Sequence, residues 1–137
     1  MAYVSQERKK ELAPRIKQVL KKYGLTGTIS VRNHSTLCVN ISKGPIDFIK
    51  NYKETIAEHP AYQQYGVQDQ EITYLDVNTH WIHTNFSGVA EQALTELEEA
   101  LTVGNWNNSD IQTDYFDVGW YIDINIGNWQ KPYELVA

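Results

Sequence analysis

A single cysteine, Cys38, leaves this chain of 137 residues no internal disulfide, and a reducing cytosol is its natural compartment. No apolar run is long enough to cross a membrane, so no membrane span is expected. The opening M-A-Y-V-S-Q-E-R-K-K is too short and too polar for a secretory signal. Repeats, low-complexity runs and linkers are missing as well. So are the P-loop, the G-x-S-x-G elbow, the dinucleotide fingerprint and the H-E-x-x-H zinc motif. These gaps remove the enzyme classes that announce themselves by local spacing.

Acids are scarce in one part of the chain and bases in the other. Residues 1–53 hold eleven of the twelve Lys and Arg against three acids, a balance of +8. Residues 54–137 hold Lys131 alone against fourteen acids, a balance of −13. Such asymmetry hints at electrostatic partners, although the two halves can also fold together and mix their charges on one surface. The 42% hydrophobic and 21% charged shares are those of an ordinary globular protein. One domain over residues 1–137 follows, long enough to bury a core without metal or disulfide.

The strongest local signal is Asp117 to Gly127, D-V-G-W-Y-I-D-I-N-I-G. Val118, Trp120, Ile122, Ile124 and Ile126 alternate with Gly119, Tyr121, Asp123 and Asn125. That is a strand with a dry face and a wet one. Upstream, Ser5 caps a helix whose stripe is Leu12, Ile16, Val19, Leu20 and Tyr23. Pro14 is expected to kink it and Gly24 to end it. Alternation at Ile29 and Val31, and again at Leu37, Val39 and Ile41, gives two strands joined through Arg32-Asn33-His34-Ser35.

A second helix is expected from Pro45, burying Ile46, Ile49, Tyr52 and Ile56 and stopped at Glu58-His59-Pro60. Residues 59–72 read as a loop or short helical turn. A third strand follows, with Leu75, Val77, Thr79 and Trp81 opposite Tyr74, Asp76, Asn78 and His80. The third helix, capped by Ser87 and running to about Val103, turns Val89, Ala90, Ala93, Leu94, Leu97 and Leu101 inward and Glu91, Glu98 and Glu99 outward. Trp129 and Tyr133 are expected to pin the tail. The order α-β-β-α-β-α-β predicts an α+β domain: a mostly antiparallel four-stranded sheet with helices packed on one face.

The polar face of that sheet would carry Ser30, Arg32, Thr36, Asn40, Asp76, Asn78, His80, Tyr121, Asp123 and Asn125. It is a candidate ligand surface, and a solvated face is the ordinary alternative. His80, His83 and Asp76, with Asp110, Asp114 and Asp117, supply enough donors for a divalent cation. Strand residues three apart face opposite sides, so the two histidines reach one ion only if the strand ends between them. No metal ligand set and no catalytic residue is assigned, and no cofactor is expected. Cys38, mid-strand, reads as a small filler rather than a nucleophile. Six Lys and Arg from Lys9 to Lys22, with Arg32, His34 and Lys43, keep direct nucleic-acid contact open.

Three blocks carry a resemblance. They are Y-V-S-Q-E-x-K-K-x-L-A-P-x-I-K-x-V-L-K-K-Y-G, then G-T-I-S-V-R-N-H-S-T-L-C-V-N-I, then N-N-S-D-x-x-T-D-Y-F-D-V-G-W-Y-I-D-I-N-I-G-x-W-x-K-P-Y. Together the chain resembles one of the large polyvalent protein-associated domain families, found in phage and mobile-element proteins and often fused into long chains. The resemblance spans nearly all 137 residues, which implies a stand-alone copy. It implies a phage or plasmid accessory protein in a bacterial host cytoplasm, protecting invading DNA or interfering with host proteins. It brings no catalytic residue with it.

The expectation is therefore a non-enzymatic protein that binds a host or phage macromolecule, a protein first and nucleic acid second. Its expected contacts are Arg32, His34, Trp106, Asn108, Asp110, Asp114, Tyr115, Asp117, Tyr121 and Asp123. A metal-dependent hydrolase built on Asp76, His80 and the Asp110–Asp117 loop is the catalytic alternative. Oligomeric state is not fixed by the sequence, and a weak homodimer is left open.

Overall fold

The computed structural model describes residues 3–57, 73–103 and 120–136. Helix α1 is Gln6–Lys22. The Ser5 hydroxyl accepts the Arg8 amide at 3.0 Å, which is the expected cap. The helix runs on through Pro14, which lies exposed, and buries Leu12, Ile16 and Leu20. After it, Gly24 takes a left-handed φ of +70°.

Strands β1 (Thr26–Arg32) and β2 (Thr36–Gly44) form the expected hairpin. Both Asn33 and His34 have positive φ, 53° and 60°, and the Ser35 amide returns to the Arg32 carbonyl at 3.2 Å. A left-handed pair matches the twist of two antiparallel strands, which is why such turns recur in hairpins.

Helix α2 is Phe48–Ala57, so it starts later than Pro45. The Asp47 carboxylate accepts the Lys50 amide at 3.0 Å and fixes the start there. Phe48, absent from the expected stripe, is fully buried. The stop at Glu58-His59-Pro60 and the loop at 59–72 lie outside the described residues.

Strand β3 is only Leu75–Val77. The expected alternation breaks because the Asn78 side chain accepts the His80 amide at 3.1 Å and turns the chain into a 3₁₀ turn, Thr79–Trp81. A short helix α3, Ile82–Asn85, follows. His80 and Trp81 therefore leave the sheet.

Helix α4, Gly88–Thr102, buries Ala90, Ala93, Leu94, Leu97, Ala100 and Leu101. Val89, expected inward, is 52% exposed. Glu98, expected outward, is half-buried, and that burial raises its carboxyl above the usual range. Ser87 does not cap α4 with its side chain; its amide donates to the Asn51 side-chain oxygen Oδ1 at 2.9 Å, tying the helix start to α2.

Strand β4 is Tyr121–Ile126, with Trp120, Ile124 and Ile126 buried and Tyr121 exposed, as the alternation requires. Val118 lies outside the described residues. The α+β class holds, and the sheet is mixed rather than purely antiparallel. Its order is β1-β2-β4-β3, with β1 and β3 antiparallel to their neighbours and β2 parallel to β4. Parallel neighbours need a long crossover, and the chain between β2 and β4 supplies one.

A two-residue strand β5 (Glu134–Leu135) adds parallel to the end of β2. Tyr133 anchors this tail by donating to the Ile46 carbonyl at 2.7 Å and packing edge-on against Phe48. Trp129, expected to help, is 74% exposed. Gly127 is required by the turn before it: a Cβ there would stand 2.4 Å from the Tyr133 nitrogen.

One core lies between α1, α4 and a single face of the sheet, built from Leu12, Ile16, Leu37, Val39, Leu94, Leu97, Ile124 and Ile126. The other sheet face carries the polar residues of the same strands. No helix among the described residues is long and apolar enough to cross a membrane.

Candidate functional site

The strand register sorts the polar face into rows. Arg32, Thr36 and Tyr121 share the first, next to the hairpin turn. Ser30, Cys38 and Asp123 share the second, and Thr28, Asn40, Asn125 and Asp76 the third. Side chains join Asn125 to Asn40 within the third row and link that row to Ser30 in the second. Asn125 donates to the Asn40 oxygen at 3.0 Å, and Asn40 donates to Ser30 at 3.2 Å. These bonds cross from β4 to β1 and hold the face to one register.

Arg32 and Asp123 stand on strands that do not touch, with β2 between them, yet their charges meet at 3.0 Å. The pair must therefore arch over β2 between Thr36 and Cys38. Cys38 beneath it is 3% exposed. Burial first, and the Asp123 charge second, push its thiol up, while Arg32 opposes them. A raised, covered thiol is a poor nucleophile, in keeping with the reading of Cys38 as a filler.

At the turn, His34 is exposed, and its carbonyl accepts the Val4 amide at 2.8 Å. The Tyr121 amide donates to the Ser35 carbonyl at 2.8 Å, and its ring is 50% exposed. On the reverse face at this end, Trp120 donates to the Leu101 carbonyl at 2.9 Å with the Arg8 guanidinium 5.4 Å from its ring. Turn, N-terminal segment and β4 start are thus locked together.

Four of the expected contacts, Arg32, His34, Tyr121 and Asp123, come together here. Trp106, Asn108, Asp110, Asp114, Tyr115 and Asp117 lie outside the described residues. Asp76 is on the polar face at its far edge, whereas Asn78 and His80 have left it. His83 pairs with Glu91 at 2.8 Å rather than with His80. Among the described residues no three His, Cys, Asp or Glu side chains are grouped to hold a metal. Of the hydrolase reading, Asp76 and His80 do not share the sheet face, and the Asp110–Asp117 loop lies outside the described residues.

One charged cluster escaped the sequence reading. Glu96 on α4 accepts from Lys22 at 2.7 Å and from the Tyr23 hydroxyl. Those two bonds, Lys22 first, hold the Glu96 carboxyl below its usual range, and Glu96 in turn raises Lys22 and Tyr23. Here the basic and acidic parts of the chain do meet. No local pattern could have shown it, because the partners are far apart in sequence.

No family model, no curated protein and no solved structure matches the chain.

Proposed function

We propose that the chain is a non-catalytic accessory protein of a phage or mobile element that binds a host or phage macromolecule in the bacterial cytoplasm. Counteracting host defence is the role such binding would serve. The observation that carries this reading is the gathering of Arg32, His34, Tyr121 and Asp123 at one end of the sheet. An exposed aromatic beside a preformed charge pair is the composition of a protein-recognition patch, in which tyrosine and arginine supply much of the energy. His34 adds a second mark: a left-handed backbone at a non-glycine residue stores strain at an exposed tip.

The test is a pull-down from host lysate with and without nuclease. A specific protein retained after nuclease supports the reading. Loss of all captured material on nuclease treatment favours the nucleic-acid alternative. Recovery of neither removes both.

A further inference from the structure

Strand β1 lies at one edge of the sheet, away from the Tyr121 and Asp123 side chains above. Among the described residues β1 pairs only with β2. Along its seven residues, alternate N–H and C=O groups therefore face away from the sheet. Helix α1 packs beside it. Lys9, Ala13, Lys17 and Lys21 recur every four residues on α1 and form one row along the helix. A groove separates this row from the backbone of Gly27 and Thr28. None of the three lysines has an ion-pair partner among the described residues, whereas their neighbours Arg8 and Lys22 do.

We propose that this groove takes an extended acidic segment of a protein partner, which adds as a strand to β1 while its carboxylates meet Lys17 and Lys21. The open edge offers backbone donors and acceptors at peptide spacing, which is how strand addition works. The lysines set the sign of the occupant. Their spacing of one helical turn is ~6 Å along the axis. Alternate residues of a strand repeat at ~6.7 Å. A segment with an acid at every second position therefore keeps step with the row.

A second copy of β1 fits badly, because edge pairing would bring two lysine rows to one seam. Single-stranded nucleic acid shares the charge, but the residues lining the groove include no aromatic on which bases could stack.

The test titrates the whole chain with a capped peptide of alternating Glu and Val, the length of β1, and follows backbone amide resonances. A Lys/Val peptide and an oligothymidylate serve as comparison probes. The expected result is saturable shifts at Thr26–Arg32 with the Glu/Val peptide alone. Lys17→Glu should weaken this by about tenfold, and Arg15→Glu, the same charge change on the far flank of α1, by less than about threefold. Both positions are exposed, and circular dichroism confirms that each variant folds. The proposal is overturned if the two variants lose binding equally, if oligothymidylate shifts β1 and the peptide does not, or if no β1 shift occurs at about 1 mM peptide. Tyr121→Ala, on β4 and away from this edge, should leave peptide binding intact, so failure here and failure at the sheet end are separable.

Discussion

The Arg32 guanidinium and the Asp123 carboxylate meet at 3.0 Å across β2, joining β1 and β4, which share no backbone pairing. Arg32 is largely exposed and Asp123 mostly covered, so solvent screens much of the attraction. Arg32→Ala is expected to cost no more than about 1 kcal/mol in denaturant unfolding. A much larger loss would mean that the pair is structural and that its place at the surface is incidental to binding.

Beneath that pair, Cys38 should react with a thiol reagent at least about tenfold more slowly in the folded chain than in denaturant. Asp123→Ala removes both cover and a charge that raises the thiol, so the folded variant should react faster than the wild type. Equal rates would show that the arch does not shield the thiol.

His34 holds φ 60° without the freedom of glycine. His34→Gly relieves that strain and should stabilise the fold by about 1 kcal/mol. If the imidazole is a contact, the same variant should bind its partner less well, a gain in melting temperature set against a loss of capture. Thermal melts and pull-downs on one preparation decide it.

Tyr133 is pushed up to about 12, mainly by burial, with the Asp47 charge adding to it. In the unfolded chain it titrates near 10. The folded state therefore favours the neutral phenol, and its stabilisation is complete below pH 10 and is lost as pH rises through about 12. Tyr133→Phe should flatten this alkaline loss and, by removing one of the two donors to the Ile46 carbonyl (the Phe48 amide is the other), cost about 1 kcal/mol at neutral pH. Denaturant curves at neutral and alkaline pH separate the two effects.

Gly127→Ala places a methyl group against the Tyr133 backbone in a left-handed turn. It should destabilise by about 1–3 kcal/mol and loosen the tail. Protection of the Tyr133 and Val136 amides from hydrogen exchange should fall in parallel.

Much of the fold was legible because period and capping are local. Alternation from Trp120 to Ile126 named the buried and wet sides of β4, and Ser5 named the start of α1. Where sequence reasoning failed, a side chain overrode the pattern. Asn78 captured the His80 amide and ended a strand that alternation would have carried on to Trp81. Asp47, rather than Pro45, set the start of α2 and brought Phe48 into the core. Trp129 looked like an anchor by composition, but Tyr133 alone reaches a buried partner. The parallel pairing of β2 with β4 could not be read, because no residue within either strand records its neighbour. For the same reason Arg32, His34, Tyr121 and Asp123 were each nameable, while the arch between Arg32 and Asp123 depended on strand order.

The central claim is that the sheet end carrying Arg32, His34, Tyr121 and Asp123 is a binding surface. Its most direct measurement is a nuclease-treated pull-down comparing the wild type with the double variant Arg32→Ala/Tyr121→Ala, both confirmed as folded. The expected result is a specific protein captured by the wild type and depleted with the variant by about tenfold or more. Equal capture by the two would contradict the claim and move the contact elsewhere on the molecule.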